Sequence, residues 1–317
     1  MGGRGLSPGA DGDCPRVVAW DEEGRALRLA PPVPRRPSRA VRPARSASTW
    51  TFDIMSRMKD AHDCTAGGTK RCRVMGIVNV TPDSFSDGGK FFTSEEAIRR
   101  AKNLIEEGAD IIDLGGESTR PGATPLKWQV EWSRLEPVLA GLRDARLETG
   151  DVCLSVDTYH PETAEKALAA GVKIVNCVYP EPIPEMLGLL ERFTSSELVL
   201  PARVQDPYAL VPNPPSLISR LYLDPMIGFG TTREEDLEIL RTIPQLAEKG
   251  RVLVGASRKR IVKRLTGEKV PGKDLAGNLA IAVWAALNGA SVVRVHDVRE
   301  TVQALKVLAS LQGGGLA

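Results

Sequence analysis

From Arg73 to the C-terminus, short apolar runs alternate with longer segments in which apolar residues recur at helical spacing. Runs rich in Val, Ile and Leu are typical of parallel strands that are covered on both faces. Strands are predicted near 73–79, 111–115, 152–156, 173–178, 197–201, 220–224, 252–256 and 292–296. Eight strands in one continuous alternation with helices favour a closed (β/α)8 TIM barrel over a doubly wound sheet.

Six of the intervening segments carry helical periodicity. The predicted helices are 95–107, 128–148, 161–170, 233–248, 274–288 and 298–311. Only 18 residues separate the fifth and sixth predicted strands, and prolines at 207, 212, 214 and 215 forbid a regular helix through most of that span. The fifth helix is therefore predicted to be a single turn or absent.

Residues 1–71 differ in composition from the rest of the chain. Between 31 and 50 there are five Pro, five Arg and no acidic residue, so too little apolar surface is available to offset the entropy of ordering. We predict a largely disordered extension, 1–71, followed by a barrel domain, 72–317. A hairpin within 17–29 is conceivable but marginal by itself.

Three interpretations of the Arg-rich tract stay open. It is a transit peptide, an arm that binds nucleic acid or a partner, or a bland extension. The last includes translation that starts at Met55 or Met58.

Composition and charge narrow the class of protein. A net charge of +2 is too mild to indicate a nucleic-acid partner, and no apolar run reaches the 18 or more residues of a membrane span. The N-terminus lacks the charged-then-apolar order of a secretory signal. Five cysteines without C-x-x-C or metal-ligand spacing indicate reduced thiols. We therefore expect a cytoplasmic protein that binds neither nucleic acid nor membrane.

Polar residues follow seven of the eight predicted strands, where barrel enzymes place their chemistry. In chain order these are Asn79 with the 81–89 loop, the 117–120 loop, Asp157 with Thr158, Asn176, Asp224, 257–259, and Arg294 with His296 and Asp297. Because the C-terminal ends of all strands meet at one mouth of a barrel, these side chains are expected to share one site.

The residue types indicate the kind of ligand. Asp157, Asn176 and Asp224 offer acceptors for the paired N–H donors of a planar, guanidine-like heterocycle. Hydrogen-bond donors and positive charge suited to phosphate come from Thr119, Arg120, Lys259, Arg294 and His296. Asn79, with carboxylates of the loops, supplies the oxygen ligands that Mg²⁺ prefers. Together they describe a site for a heterocycle that carries a diphosphate.

Two long segments resemble the signatures of the dihydropteroate synthases: MGIVNVTPDSFSDGG at 75–89 and GADIIDLGGESTRPG at 108–122. Shorter matches at 155–159, 223–230, 255–259 and 293–298 follow in the family's order. The resemblance spans residues 75–298 and leaves the N-terminal extension outside.

This resemblance implies a transferase that joins 6-hydroxymethyl-7,8-dihydropterin diphosphate to p-aminobenzoate, giving 7,8-dihydropteroate and diphosphate, with Mg²⁺ as cofactor. The family's chemistry implies that diphosphate leaves before the amine attacks. It also implies a homodimer formed through the late barrel helices.

Carried over residue by residue, the resemblance assigns the site. It implies that the pterin is held by Asp157, Asn176, Asp224 and Lys259. It implies that the diphosphate and its metal are held by Asn79, Thr119, Arg294 and His296. Asp87 in the first loop, and Arg120 with Pro121 in the second, would close over the site and frame p-aminobenzoate. The expected catalytic residues are Asp87, Arg120 and Lys259.

Three departures from the family pattern border the expected pterin site. Cys177 stands where the family usually has Asp, and is expected to remove an acceptor beside the pterin. Met226 occupies a usual Gly position, and residues 198–206 replace a Met-His-Met segment. Alternatives are therefore a related barrel that acts on a modified pterin or acceptor, and a non-catalytic pterin-binding relative.

A further alternative is a tetrahydrofolate methyltransferase, which would share the fold. Such a protein is not expected to have the long first loop or the residues 257–259. Retention of Asp87, Arg120 and Lys259 favours an enzyme over a storage protein.

Overall fold

The computed structural model describes residues 71–81, 93–118, 124–149, 152–211, 215–270 and 272–313, and two short strands nearer the N-terminus. The chain forms two compact units, Met1–Cys64 and Thr65–Ala317. In the first, Ala19–Trp20 pairs antiparallel with Ala26–Leu27, the hairpin that the sequence allowed within 17–29. Residues 28–70 lie outside the described part, so the predicted disorder and the domain boundary after residue 71 stay predictions.

The second unit is a closed barrel of eight parallel strands. They are β1 (Arg73–Asn79), β2 (Ile111–Gly115), β3 (Cys153–Asp157), β4 (Ile174–Asn176), β5 (Glu197–Pro201), β6 (Leu221–Asp224), β7 (Arg251–Val254) and β8 (Val292–Val295). Each strand pairs with the next in chain order, and β8 pairs with both β7 and β1. The predicted TIM barrel is confirmed.

Helices lie between the strands throughout the described part of the chain. They are α1 (Ser94–Glu106), α2 (Trp128–Thr149), α3 (Pro161–Ala169), α4 (Ile183–Arg192), α5 (Pro215–Ile218), α6 (Arg233–Arg241), α7 (Ile243–Ala247), α8 (Arg260–Thr266), α9 (Leu275–Leu287) and α10 (Val298–Leu311). The helix after β5 is one turn long, as predicted. No helix among these residues is both long and apolar enough to cross a membrane.

The segment predicted as one helix over 233–248 is two helices that meet at Thr242. Pro244 has no N–H to donate to the carbonyl of Leu240 four residues before it, so the helix cannot continue regularly. The indole N–H of Trp284 on α9 donates to that carbonyl instead, at 3.0 Å. The break therefore ties α6 to the neighbouring helix.

Helices α4 and α8 were not predicted from the sequence either. Two prolines stand where α4 begins, and they obscured a helix that tolerates them in its first turn. Helix α8 has seven residues, too few to show a period.

One residue from each strand forms an apolar layer across the barrel interior. The cluster consists of Met75, Ile111, Ile174, Val199, Tyr222, Leu253 and Val292, with Cys153 packed against it. Side chains alternate along a strand, so the neighbouring residues face the helices. Gly76 is one of them: a Cβ there would lie 3.0 Å from Leu104 Cδ1 on α1. This apolar layer separates the N-terminal end of the barrel interior from the C-terminal end.

The barrel interior becomes polar two residues further along the strands. The positions two after the apolar layer are Ile77, Asp113, Ser155, Asn176, Pro201, Asp224, Gly255 and Arg294. Five of these eight residues are polar. Asp113 and Ser155 are fully buried, and Asn176 and Asp224 are nearly so. Buried polar groups require partners, so this polar layer, at the C-terminal ends of the strands, is the place to look for a ligand.

The N-terminal end of the barrel is filled by its own side chains. Arg251 Nη1 lies 2.5 Å from Glu197 Oε1, and the guanidinium carbon of Arg251 lies 4.0 Å from the centroid of the Tyr222 ring. Arg73 donates to the Tyr222 hydroxyl from the next side. A ligand therefore enters from the C-terminal end.

Candidate active site

Arg294 joins two carboxylates at the centre of the polar layer. Its Nε donates to Asp113 Oδ2 at 2.6 Å, and its Nη2 donates to Asp157 Oδ2 at 2.6 Å. Asn176 Nδ2 donates to the same oxygen of Asp113, at 3.2 Å. Three predicted site residues from β3, β4 and β8 are thus brought together, as the sequence analysis expected.

Asp113 was not predicted from the sequence. This carboxylate lies in the middle of β2 rather than at its end, and it is fully buried. The sequence did contain a sign of its importance: it is the single charged residue in an otherwise apolar strand, and a charge is costly to bury without a partner. Asp113 holds Arg294 and Asn176 in place from below and is part of the site.

Burial sets the proton affinity of the groups in this layer. It raises the pKa of Asp157 to about 7, with Arg294 opposing the rise and Asp113 adding to it. Burial also raises the pKa of Asp224, although Lys259 and the Met226 amide act against it. For Arg294, burial acts to lower the pKa, but Asp113 and Asp157 outweigh it and raise the value. Arg294 is therefore a permanent cation, while Asp157 gains or loses a proton near neutral pH.

Lys259 approaches the site from the residue just before α8. Its Nζ donates to the carbonyl of Ile227 at 2.6 Å and lies 4.3 Å from the centroid of the Phe229 ring. Burial lowers the pKa of Lys259 to about 8, and Asp224 acts against this shift. The ammonium group is held by a carbonyl and an aromatic face, which leaves donors for a ligand.

Asp224 ends β6 and shapes the turn that follows it. Its Oδ1 accepts from the amide of Met226 at 2.7 Å. Met226 has a φ of 67°, a left-handed conformation in which a side chain is strained and glycine is not. The left-handed position after β6 is thus occupied by methionine, where the resemblance led us to expect glycine, and Asp224 lies buried in the barrel interior.

His296 faces the same end of the barrel and is neutral. Its Nδ1 lies 3.1 Å from Ser257 Oγ, which also accepts from the backbone N–H of His296 at 3.3 Å. Burial, together with the cations Arg258 and Arg294, lowers the pKa of His296 to about 3. At physiological pH the ring thus offers one N–H donor and no positive charge.

Strand register places Asn79 beside the acceptors. Asn79 pairs with Gly115, Gly115 with Asp157, and Asp157 with Asn176. A Cβ on Gly115 would lie 3.7 Å from Asn79 Oδ1 and 3.8 Å from Asp157 Cβ. Because Gly115 has no side chain, space is left between the amide oxygen of Asn79 and the Asp157 side chain, at the C-terminal end of the barrel interior.

The described ends of the second loop are joined by Glu117. Its Oε1 accepts from the amide of Leu126 at 3.0 Å and from the Tyr159 hydroxyl at 2.6 Å. Beside it, a Cβ on Gly116 would lie 2.8 Å from Glu131 Cγ on α2, so only glycine fits where loop and helix meet. These contacts fix the point from which the loop leaves β2.

Four predicted site residues belong to the loops themselves: Asp87, Thr119, Arg120 and Pro121. They lie in 82–92 and 119–123, outside the described residues. Their roles stay predictions.

The expectation for Cys177 is wrong. Asn176 is the last residue of β4 and faces the barrel interior, whereas Cys177, just after the strand, packs with the residues that face the helices. Cys177 is buried among the apolar side chains outside the polar layer, and its Sγ donates to the Tyr179 carbonyl at 3.5 Å. The substitution therefore removes no acceptor from the polar layer.

Three atoms of the polar layer have no partner among the described residues. They are Asp113 Oδ1, Ser155 Oγ and Asn176 Oδ1, all buried and contributed by adjacent strands. Buried polar atoms in native proteins are hydrogen-bonded, so such a set at one level fits a ligand with several N–H donors.

The closed barrel and its buried polar layer define the class: a barrel enzyme whose candidate active site lies at the C-terminal ends of the strands. The family described as pterin binding enzyme matches residues 75–207 and 218–296. Curated relatives extend the match. A dihydropteroate synthase of Synechocystis is 34% identical over 276 residues, covering 76% of this chain and 91% of the relative. One of Neisseria meningitidis serogroup C is 36% identical over 271 residues, covering 77% and 94%.

Solved structures of dihydropteroate synthases are also similar to this chain. The dihydropteroate synthase of Xanthomonas albilineans with 4-aminobenzoic acid has a TM-score of 0.66 at 39% identity, covering 76% of this chain and 93% of its own. That of Clostridium difficile in the presence of pteroic acid has a TM-score of 0.67 at 34% identity, covering 76% and 97%. The chain therefore belongs to the pterin-binding enzymes and, within them, to the dihydropteroate synthases, transferases of folate biosynthesis.

Proposed function

We propose that the polar layer of the barrel binds 6-hydroxymethyl-7,8-dihydropterin diphosphate by its heterocycle and that p-aminobenzoate displaces the diphosphate, giving 7,8-dihydropteroate. The observation that carries this proposal is the set of buried acceptors around Arg294 and Lys259 at the one open end of the barrel. A Xanthomonas albilineans relative has been solved in complex with 7,8-dihydropteroate, which supports the same ligand here.

The pterin edge matches the acceptors by hydrogen-bond chemistry. A pterin presents an amino group and a ring N–H side by side, and Asp157, Asn176 and Asp224 supply carboxylate and amide oxygens in a buried setting, where hydrogen bonds are strongest. Ionised Asp157 accepts from both donors. The pKa of Asp157 is raised to about 7, so its carboxyl group is partly protonated near neutral pH. Two N–H donors at its oxygens stabilise the ionised form, and binding of the pterin edge therefore favours loss of that proton. Lys259 donates to the acceptor side of the ring.

The diphosphate end requires donors and positive charge. Arg294 uses Nε and Nη2 on Asp113 and Asp157, which leaves further guanidinium N–H groups for an anion. Neutral His296 adds one N–H. Thr119, on the second loop, is proposed to complete this set. These donors stabilise the charge that gathers on the leaving group.

The reaction then needs no covalent nucleophile. The C–O bond between the pterin methylene and the diphosphate breaks, and its electron pair leaves on the diphosphate oxygen. The amine of p-aminobenzoate donates its lone pair to the methylene carbon and loses a proton to solvent. Asp87, Arg120 and Pro121 are proposed to close over the two substrates and to exclude water.

Mg²⁺ is the proposed cofactor, and Asn79 the residue that would hold it. Mg²⁺ at phosphate sites keeps several waters and takes few protein ligands besides the phosphates, and the Asn79 amide oxygen next to the open space above Gly115 suits that role. When bound, the ion would neutralise charge on the leaving diphosphate.

Turnover by the full-length chain tests the proposal. With both substrates and Mg²⁺ we expect dihydropteroate and diphosphate in equal amounts, and excess EDTA should suppress the reaction because the diphosphate loses its counter-charge. Tight binding of the pterin diphosphate without any product would instead indicate a non-catalytic relative.

We further propose a homodimer formed through the late helices. The sequence of α9, LAGNLAIAVWAAL, is apolar on all sides, and Val307 and Leu311 of the adjacent α10 are 60% and 73% exposed. Apolar surface of this kind marks protein interfaces. Sedimentation should give twice the chain mass, and replacing both Val307 and Leu311 with Glu should give monomers. A monomeric wild-type protein at micromolar concentration would contradict the proposal.

The cytoplasm is the proposed location. Cys72 and Cys177 are free thiols in the described part of the chain, which suits a reducing compartment.

A further inference from the structure

Asp236 is a buried carboxylate on the outer ring of helices, outside the polar layer. Asp236 lies in the first turns of α6 and is only 3% exposed. Its Oδ1 accepts from the amide of Gly228 at 2.7 Å and from the Thr231 hydroxyl at 2.5 Å. A buried carboxylate is tolerated only when it is hydrogen-bonded, so these contacts specify the path of the loop after β6.

The loop held by Asp236 is the one that holds Lys259. The carbonyl of Ile227 accepts from Lys259 Nζ at 2.6 Å, and the ring of Phe229 lies 4.3 Å from the same atom. Gly228, between them, lies against the lysine side chain: a Cβ on it would be 3.1 Å from Lys259 Cδ. With a φ of +78°, Gly228 adopts a conformation that other residues reach only with strain.

We propose that Asp236 is a positioning residue for Lys259. By fixing the Gly228 amide and the Thr231 hydroxyl, Asp236 sets the backbone of 227–229, and that backbone aims the ammonium group of Lys259 at the ligand. The proposal rests on the function of Lys259 in pterin binding that is proposed above.

Charge provides a second link between the two residues. The charged groups that act on the pKa of Lys259 are Asp224, Arg294, Asp236 and Asp157. Burial lowers the pKa of Lys259 to about 8, and Asp224 and Asp236 both act to raise it. Removing the charge of Asp236 therefore lowers this pKa, so the lysine loses its proton at a lower pH.

Three variants of the full-length chain test the proposal. Asp236→Ala leaves the loop unanchored, and kcat/KM should fall about 10- to 100-fold, the usual effect of a small misplacement of a binding group. Asp236→Asn keeps an oxygen acceptor, so kcat/KM at pH 7 should be largely restored, while the alkaline limb of its pH profile moves to lower pH. Thr232→Ala is the matched control: it removes the side-chain cap of the same helix and should lower the melting temperature without changing kcat/KM.

Distinct outcomes overturn distinct claims. If Asp236→Ala has wild-type kcat/KM while Lys259→Ala is inactive, the positioning claim is wrong and the function of Lys259 stands. If Lys259→Ala is fully active, both are wrong. Should Asp236→Ala fail to fold, an alkaline limb that is unchanged in Asp236→Asn would overturn the positioning claim.

Discussion

The Arg294→Met variant is expected to lose about 3–5 kcal/mol of folding free energy, because it leaves the fully buried Asp113 and the largely buried Asp157 without their common cation. Asp113 and Asp157 each lie 2.6 Å from the guanidinium, and Asp113 is fully buried. A loss of this size should lower the melting temperature by roughly 10 °C and abolish turnover.

The pH dependence of this loss has a definite sign. Arg294 lowers the pKa of Asp157, so its removal raises that pKa further above 7. A carboxyl group whose pKa is higher in the folded than in the unfolded state binds more protons when folded, so the variant regains stability as the pH falls from about 8 towards 4. Thermal melts between pH 5 and 8 measure this recovery.

Arg258→Met is the matched control for this experiment. Arg258 forms an ion pair of the same length, 2.6 Å, with Asp297, but its side chain is 43% exposed. Exposed pairs contribute under about 1 kcal/mol. Equal destabilisation of the two variants, or a loss in Arg294→Met that does not change with pH, would show that Arg294 does not neutralise a buried cluster.

Lys259→Ala should lower kcat/KM by about 100- to 1,000-fold, the effect of removing one well-placed donor from an enclosed site. The fold should be retained, because the hydrogen-bond partner of the lysine is a backbone carbonyl and the buried Asp224 keeps its bond from the Met226 amide. Separate measurement of kcat and KM, together with a melting curve, distinguishes loss of function from loss of structure.

Arg264 is exposed on helix α8, which begins just after Lys259. The Arg264→Ala variant serves as the control and should keep wild-type kinetics. Activity in Lys259→Ala within a few-fold of wild type would remove Lys259 from the site.

Much of the site could be predicted because a parallel barrel converts strand ends into neighbours. Once the eight apolar runs were located, Asp157, Asn176 and Asp224 were expected at the same end of the barrel. The strand register places Asn79, Gly115, Asp157 and Asn176 side by side there. The proline count between the fifth and sixth strands likewise predicted the single turn of α5, since proline removes both an N–H and a helical conformation.

The errors had two sources: partners that only the tertiary fold brings together, and sequence rules that were not applied throughout. Asp113 was missed because it lies within a strand, and its importance depends on Arg294, 181 residues away in the sequence. Cys177 was assigned to the wrong face because strand alternation was not applied beyond Asn176. The break at Thr242 follows from Pro244 by the same proline rule, which was not applied there; only the bond from Trp284 to the Leu240 carbonyl depends on the tertiary fold.

A crystal structure of the full-length chain with 7,8-dihydropteroate tests the central claim most directly. We predict that the pterin ring lies in the polar layer, with its amino group and ring N–H within hydrogen-bond distance of Asp157, Asn176 and Asp224, and with Lys259 Nζ at its acceptor side. A pterin that lies outside the barrel, or that contacts none of these four residues, would contradict the account.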